Sequence, residues 1–556
     1  MARRVQALVA AAVAAFGIGL VCGATHQTKA EKAAKSFARA WSRGDTASMY
    51  RYLSAGAREH YSLAAFRSTY ARNAATATAR TWAIGRPKGS GHTFTIPVHV
   101  GTRIFGAFDG NVRLEASDGG VDWQPYMSFP GMRPGERLSR VTRMPPRADL
   151  LARDGTPFAE LPDIAPDVVG DIGPMPADDV ARLTALGYPA GAQVGVSGLQ
   201  RFLQERIGGR PGGDLLAGGR LLAHSTPRQA RAVRTTISPA VERAAIAALA
   251  GRLGGVVAVR PRSGQILAFA GIAFSGLQPP GSTMKMVTLT GVLDAKLATP
   301  KTTFPYATAA TLSGVQLSNA NGESCGGTLA LAFAVSCNSV FAPLGAKLGA
   351  QRLVDIAERF GFNHEPGIPG AAMSTIPASG DIGDDLAVGA SAIGQGRVQA
   401  TTLQMVKVAS TIALGGRAPK LTLALPARPH ATATEHVIPA KVAHTVRRLM
   451  VGVVRDGTGV HAQIPGVEVA GKTGTAELVS TQKCPPAPDT SQPDQPPVPE
   501  SCQNQASRTD DTDAWFAAFA PARAPRIAVC VMLVRDGAGG DTAAPAAREV
   551  LIAGLR

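Results

Sequence analysis

The order of structural periodicities after Thr235 constrains the fold more than any other feature of the chain. A helical stretch, Val241 to Leu253, precedes two strand-like pieces, Gly255 to Arg260 and Gln265 to Ala270, with turn residues between them. A long helical region, broken by glycines, follows from residue 282 to about 415. Strands return near the C-terminus, at 467–476, 514–519 and 526–534. Sheet, helices and sheet in this order predict an α+β fold, an antiparallel sheet with a helical lobe inserted in it.

Ser282 and Lys285 stand three residues apart, on a helix expected to begin directly after Pro280-Gly281. Three residues are nearly one helical turn, so both side chains fall on one face. A serine hydroxyl is a weak nucleophile and needs a base, which lysine supplies when burial and cationic neighbours keep it neutral. A serine three residues before a lysine arises by chance about once in a chain of this length, so this pair alone says little.

Ser336-Cys337-Asn338 follows the helical run Leu329 to Val335. Two polar side chains at i and i+2 on a turn both face a cleft. There Ser336 relays a proton to a leaving group and Asn338 binds a substrate amide through its carboxamide. Serine and asparagine are also good helix caps, and for this motif alone capping is the commoner explanation.

Gly471 to Thr475 reads Gly-Lys-Thr-Gly-Thr inside an alternating, strand-like run. Lys472 adds positive charge to a site, and the hydroxyls of Thr473 and Thr475 suit a substrate carboxylate. Gly474 leaves room for a substrate backbone against the strand. The backbone N–H groups of Thr475 and Ser282 form an oxyanion hole in this interpretation. The alternative is an ordinary edge strand with a bulge glycine.

Ser-x-x-Lys, Ser-x-Asn and Lys-Thr-Gly in this order resemble the signature of penicillin-binding proteins and serine β-lactamases. Matching segments accompany them, at Gly254–Ala258, Ser263–Ala268, Ala392–Gly396, Thr402–Met405 and Ala514–Ala517. The resemblance spans Thr235 to Arg556. It implies that Ser282 attacks the carbonyl between the two terminal D-alanines of a peptidoglycan stem peptide, and that an amine of a neighbouring stem takes the acyl group. It also implies that β-lactams acylate the same serine, and that no metal or organic cofactor takes part.

Four segments are predicted upstream and across this region. Residues 1–24 form a signal or membrane anchor. Residues 25–140 form a small α+β domain that resembles the NTF2-like module at the front of some penicillin-binding proteins, through its helical start, Trp123-Gln124-Pro125 and Phe129-Pro130-Gly131. Residues 141–234 form a linker and an elongated, non-catalytic, dimerisation-type pedestal, and 235–556 form the transpeptidase domain with a Pro-rich loop at 483–509. No region suggests a glycosyltransferase, so the resemblance implies a monofunctional enzyme with a glycan polymerase and other wall-synthesis proteins as partners.

The N-terminus predicts export. Arg3 and Arg4 precede an apolar run, Ala7 to Val21, which extends from Val5 to Ala24 at the length of a membrane span. Two arginines before the span place the bulk of the chain outside the cell membrane. A cleaved signal, an uncleaved anchor and lipidation at Cys22 all stay open.

The remaining cysteines fit an exported protein. Cys484 and Cys502 flank the Pro-rich loop and predict a disulfide in an oxidising compartment. Cys530 lies in an apolar run and predicts a buried thiol. Cys325 and Cys337 either pair or stay reduced, and the absence of any C-x-x-C argues against a metal site.

The net charge of +17 is concentrated in the first 150 residues, which hold 21 Lys/Arg and 9 Asp/Glu. A basic surface suits anionic partners, but these charges are scattered and aromatic residues make up only 5% of the chain. With no zinc-finger spacing either, nucleic acid is not expected as a partner.

Two rival functions stay open. A serine β-lactamase shares the motifs but needs a base for deacylation, and Glu358 and Asn363 have poor spacing for that role. A β-lactam-sensing or scaffolding protein of the wall machinery needs no intact set of motifs. Neither the cellular role, in division or elongation, nor the acceptor amine follows from the sequence.

Overall fold

The computed structural model describes residues 27–425, 434–477 and 512–556 of the 556-residue chain. The predicted anchor, Cys22 and the loop with Cys484 and Cys502 lie outside these ranges. The described chain divides into two compact units. Unit 1 comprises the described residues up to Arg147 with Pro174–Ala192 and Gly208–Ala230, and unit 2 comprises Ala148–Gly173, Gln193–Ile207 and Arg231–Arg556. Residues of the predicted pedestal contribute to both units, and the predicted domain boundaries stay predictions.

The described regular elements follow in chain order. The helices are α1 Lys29–Ser42, α2 Thr46–Arg51, α3 Ala55–His60, α4 Leu63–Ala77, α5 Ala165–Val168, α6 Ala177–Ala185, α7 Gly198–Phe202, α8 Gln204–Ile207, α9 Pro239–Leu249, α10 Lys285–Asp294, α11 Leu329–Ala334, α12 Asn338–Leu348, α13 Ala350–Phe360, α14 Asp385–Ala392, α15 Thr402–Ala413, α16 Ala440–Asp456 and α17 Ala543–Leu555. The first strands are β1 Ala79–Ile84, β2 Lys88–Ser90, β3 Thr93–Thr102, β4 Ala107–Ser117, β5 Gly120–Val121, β6 Leu138–Arg143, β7 Leu150–Leu151, β8 Ile172–Pro174, β9 Gln193–Gly195, β10 Gly212–Ala217, β11 Arg220–Ser225 and β12 Val233–Arg234. The others are β13 Gly254–Arg260, β14 Gln265–Gly271, β15 Thr303–Ala307, β16 Ala309–Leu312, β17 Val315–Ser318, β18 Cys325–Thr328, β19 Arg417–Pro419, β20 Thr434–His436, β21 Ala470–Glu477, β22 Thr512–Ala520 and β23 Ile527–Leu533.

Unit 1 packs its N-terminal helices against an antiparallel sheet of order β1-β3-β4-β5, with β2 paired to β3. A second sheet has the order β11-β10-β6. In β3 every second residue from Phe94 to Val100 is buried, as expected for a strand with one face on a core. The core is aromatic and buries Phe37, Trp41, Phe66, Tyr70, Trp123 and Phe129. The predicted helical start is confirmed by α1, whereas the likeness to NTF2-like modules stays a prediction.

Unit 2 is built on a five-stranded antiparallel sheet of order β14-β13-β23-β22-β21. Helices α9 and α17 pack on one face, where Gly254 lies close to Leu249. Helix α15 packs on the other face, where Gly255 lies close to Thr402. Because both faces are covered, β23 is buried at every residue, which explains its unbroken apolar sequence.

The α+β prediction, a sheet with an inserted helical lobe, is confirmed in unit 2, with two local corrections. The predicted helix to Leu253 ends at Leu249, because Ala250 takes a left-handed backbone conformation with φ of 49°. The region from 282 to 415 is not helical throughout, since it contains two small antiparallel sheets, one of β15 with β18 and one of β16 with β17. These strands have four or five residues each and mostly lie near the surface, so they carry no clear alternation.

The predicted burial of the free Cys530 thiol is confirmed. Cys325 and Cys337, left open by the sequence, form a disulfide. Within residues 27–425, 434–477 and 512–556, no helix combines the length and the apolar character that a membrane crossing requires.

Candidate active site

Ser282 lies in a tight turn held between two glycines. The residues Gly281–Met284 form a 3-10 turn, and α10 begins only at Lys285, one turn later than the sequence predicts. Gly281 has φ of +50°, and a Cβ there would lie 2.6 Å from the Thr475 carbonyl oxygen. The Gly281 N–H donates to the Gly394 carbonyl at 3.0 Å, and a Cβ on Gly394 would lie 2.0 Å from the Gly281 oxygen. Both positions therefore require glycine to hold the serine turn against β21.

Ser336 lies in the turn between α11 and α12, at a backbone φ of 62° that is uncommon for a residue with a side chain. Asn338 is the first residue of α12. Cys337, between them, is bonded to Cys325 in β18. The disulfide thus tethers the middle residue of the motif to a strand and restrains both polar neighbours.

Lys472 and Gly474 lie on β21, the edge strand of the five-stranded sheet, as the sequence predicts. A Cβ on Gly474 would lie 2.8 Å from the Pro280 carbonyl oxygen and 3.0 Å from Thr283 Cγ2. Glycine is therefore needed here so that the serine turn can approach the strand. Room for a substrate backbone beside Gly474 stays a prediction.

A hydrogen-bond network joins four of the five predicted catalytic residues. Lys285 Nζ donates to the Ser336 carbonyl oxygen and to Asn338 Oδ1, both at 2.6 Å. Lys472 Nζ donates to Ser336 Oγ at 2.8 Å, although the two residues are 136 positions apart in the chain. Ser282, the fifth, is half-buried, and its hydroxyl forms no hydrogen bond with another described residue. Two segments distant in sequence thus converge beside the serine.

Lys285 and Lys472 are both completely buried. No carboxylate among the described residues pairs with either, and their ammonium nitrogens lie 5.7 Å from the Phe341 ring centroid and 5.6 Å from that of Phe333. Burial, reinforced by the charge of Lys472, holds the pKa of Lys285 well below its ordinary value. Burial alone lowers the pKa of Lys472 to about 7. Desolvation disfavours the charged form of an amine, so the site favours the neutral form of Lys285.

The hydroxyls of Thr473 and Thr475 have separate partners. Thr473 Oγ1 lies 2.6 Å from Thr458 Oγ1, and Thr475 Oγ1 accepts from the Gly539 N–H at 3.3 Å. Sequence reasoning missed Thr458 and Gly539. Thr458 stands in a Gly-Thr-Gly segment after a helix, which was a visible signal of a tightly packed turn.

Glu358 and Asn363, considered for a deacylating base, are not joined to this network. Glu358 Oε1 accepts from Asn363 Nδ2 at 3.1 Å, and Asn363 Oδ1 accepts from the Ile376 N–H at 3.0 Å. Across the described residues, no group of three His, Cys, Asp or Glu side chains is placed to hold a metal ion.

Comparison with known proteins gives a consistent result. Residues 254–552 match the model of the penicillin binding protein transpeptidase domain. The peptidoglycan D,D-transpeptidase PbpA of Mycolicibacterium smegmatis is 33% identical over 445 residues, 68% of this chain and 82% of that protein. The peptidoglycan D,D-transpeptidase MrdA of Salmonella typhimurium is 26% identical over 458 residues, 69% of this chain and 70% of that protein.

A solved structure is similar as well. The ceftriaxone acyl-enzyme complex of penicillin-binding protein A from M. tuberculosis superimposes with a TM-score of 0.50 at 30% identity. It covers 59% of this chain and 81% of the other. Since the domain match takes in more than half of the chain and includes all three motifs, this chain belongs to the class B penicillin-binding proteins.

Proposed function

We propose that this protein is a peptidoglycan D,D-transpeptidase that works through an acyl-enzyme on Ser282. The observation that carries the proposal is the network in which Lys285, Ser336, Asn338 and Lys472 meet beside the serine. The relatives named peptidoglycan D,D-transpeptidases support the same reaction.

Lys285 is the base in this proposal. A neutral lysine amine carries two N–H groups and one lone pair, and two hydrogen bonds engage its hydrogens at the Ser336 carbonyl and Asn338 Oδ1. The lone pair is then left for the proton of the Ser282 hydroxyl. Because burial lowers the pKa of Lys285, the neutral form needed for this step is more abundant than it is for an exposed lysine.

In acylation the Ser282 oxygen forms an ester with the carbonyl carbon between the two terminal D-alanines, and the amide C–N bond breaks. Ser336, whose Oγ accepts from Lys472 and lies 3.4 Å from Lys285 Nζ, passes its proton to the departing D-alanine amine and takes up the proton that Lys285 removed from Ser282. The backbone N–H groups of Ser282 and Thr475 stabilise the oxyanion, and Asn338 binds a substrate amide. An amine of a second stem peptide then attacks the ester and forms the cross-link as the ester C–O bond breaks. The proton that the amine loses restores the Ser282 hydroxyl. A β-lactam acylates Ser282 in the same way.

The location follows from the same proposal. Residues Val5 to Ala24 would hold the N-terminus in the cell membrane and place the site outside, where stem peptides lie. Association with a glycan polymerase and other wall-synthesis proteins would supply fresh glycan strands to the transpeptidase.

The proposal is tested by supplying the purified full chain with a D-alanyl thioester donor and a D-amino acid as acceptor amine, with Ser282→Ala as the matched control. We expect the amide between donor and acceptor to form, and to disappear in Ser282→Ala. In a parallel incubation with penicillin, rapid catalytic release of the hydrolysed product, together with no amide product from the thioester, would instead identify a β-lactamase. An unreactive wild-type chain would favour scaffolding.

A further inference from the structure

A short segment after α16, Gly457-Thr458-Gly459, lies between the segments that carry Ser336 and Lys472. The Thr458 N–H donates to the Ala334 carbonyl at 3.1 Å, two residues before Ser336. The Thr458 hydroxyl lies 2.6 Å from Thr473 Oγ1, next to Lys472. Thr458 thus contacts the segments that carry the second and third motifs.

Glycines surround Thr458 and leave no space for a side chain of their own. A Cβ on Gly457 would lie 2.2 Å from the Ala334 carbonyl oxygen, and one on Gly540 would lie 2.4 Å from the Thr458 carbonyl oxygen. Gly540 is held in turn by His461, whose Nδ1 lies 3.0 Å from its carbonyl oxygen. The position of the Thr458 hydroxyl is therefore fixed by backbone packing on two sides.

The hydroxyl protons can be assigned from the distances. The Ala334 carbonyl already accepts from the Thr458 N–H and lies 3.4 Å from the Thr458 hydroxyl, which is long for an O–H···O bond. At 2.6 Å, Thr473 Oγ1 is the better acceptor for the Thr458 proton. Lys472 Nζ also points at Thr473 Oγ1, from 3.5 Å. With Thr458 as the donor, Thr473 accepts from both neighbours, and among the described residues no carbonyl or carboxylate oxygen accepts its own proton.

We propose that Thr458 is a positioning residue for the carboxylate end of the substrate: by donating to Thr473 Oγ1, it turns the Thr473 proton toward the terminal carboxylate of the incoming peptide. This inference rests on the proposed function and deepens it. In the opposite orientation Thr473 would donate to Thr458, and the substrate carboxylate would meet lone pairs instead of a proton. A hydrogen bond to a charged acceptor is worth more than a neutral one, so the orientation affects recognition of the carboxylate.

The test supplies the full chain with two thioester substrates, which differ from each other in one group. One is an acyl-D-alanyl thioester whose thiol portion ends in a free carboxylate, and the other is its methyl ester. In both, the Ser282 oxygen–carbonyl bond forms as the C–S bond breaks, and the released thiol carries the proton and can be measured directly. The ratio of kcat/KM for the acid over the ester reports recognition of the carboxylate apart from the reactivity of the serine.

In Thr458→Val, which keeps the shape and removes the hydroxyl, we expect this ratio to fall about tenfold. Thr458→Ser, which keeps the hydroxyl, should retain a ratio within about twofold of wild type. An equal loss on both substrates, or an unchanged ratio, would overturn the assignment while leaving the proposed function intact. A wild-type chain that releases no thiol from either substrate would instead contradict the proposed function itself.

Discussion

The two units of the molecule differ in the partners of their buried polar groups. Two side chains in the core of unit 1 have neutral partners: Asn73 Nδ2 donates to Ser128 Oγ at 2.6 Å, and Trp123 Nε1 donates to the Tyr70 hydroxyl at 3.3 Å. Unit 2 instead buries two lysines completely beside a serine and supplies no carboxylate for either among the described residues. A core arranged for stability avoids unpaired charge, whereas a site arranged for acyl transfer needs an amine that has lost its proton.

Replacing a buried lysine of the site should lower activity far more than it lowers stability, and this is the largest expected effect. In Lys285→Met we expect acylation by a fluorescent penicillin to slow by about a thousandfold or more, because the base is removed. The matched control is Lys407→Met, which changes a mostly buried lysine on α15 whose pKa is also lowered by burial. Acylation in the control should stay within about twofold of wild type. Equal losses in the two variants would mean that any buried lysine matters, and would break the comparison.

Truncating the aromatic core of unit 1 should lower stability and leave acylation unchanged. Phe66 is fully buried and contacts the rings of Tyr50, Tyr70 and Trp123. Phe66→Ala should destabilise unit 1 by about 3–5 kcal/mol, measured by calorimetry of the full chain. Leu221→Ala, at a position 55% exposed, should cost less than about 0.5 kcal/mol. Penicillin acylation below the melting transition should not change, and a loss parallel to the loss of stability would show that the units are not separable.

Comparing Gly281 with Gly466 separates the effect of close packing on acylation from the effect of backbone conformation. Gly281→Ala places a methyl group against the Thr475 carbonyl and displaces the serine, which should lower the acylation rate by about a hundredfold. Gly466 also has a positive φ, of +73°, but a Cβ there would meet nothing within 4 Å. Gly466→Ala should therefore cost about 1 kcal/mol of stability and leave acylation unchanged. A similar fall in acylation for both variants would attribute the effect to backbone strain.

The pH dependence of the acylation rate should show the smallest of these effects, and it reports on the two buried lysines of unit 2. Because the pKa of Lys285 is lowered, its base form persists to a lower pH than that of an ordinary lysine, and the rate should decline as the pH falls through this lowered pKa. Lys472 loses its charge as the pH rises through about 7, so the rate should also decline above that pH, by about tenfold. In Lys472→Met the alkaline decline should vanish, and the acid decline should move to higher pH because one cause of the lowered Lys285 pKa is gone. An alkaline decline that persists in this variant would contradict the role given to Lys472.

Much of the five-stranded sheet of unit 2 could be predicted from the sequence because its strands have seven to nine residues each and are mostly apolar. Helical spacing alone predicts Ser282 and Lys285 on one face, although Ser282 lies in a 3-10 turn and the helix begins at Lys285. The contact between Ser336 and Lys472 does not, because spacing along the chain carries no information about residues 136 positions apart. Their association rested on family resemblance, and the structure supplies the distance.

The features that sequence reasoning missed depend on packing between distant segments. Glycine at 474 is required by the carbonyl of Pro280, a constraint that no local pattern contains. Thr458 acquires its place only when α16 ends beside the Ala334 carbonyl. The short strands β15 to β18 lie mostly near the surface, and without a buried face they show no alternation that a sequence pattern could detect.

The central claim, that Ser282 is the nucleophile of an acylating site, is tested most directly by locating a β-lactam adduct. The full chain is incubated with benzylpenicillin, digested and analysed by tandem mass spectrometry, beside Ser282→Ala. The account predicts one adduct, on Ser282 in wild type, and none in the variant. An adduct on another residue, or an adduct of equal yield in Ser282→Ala, would contradict it.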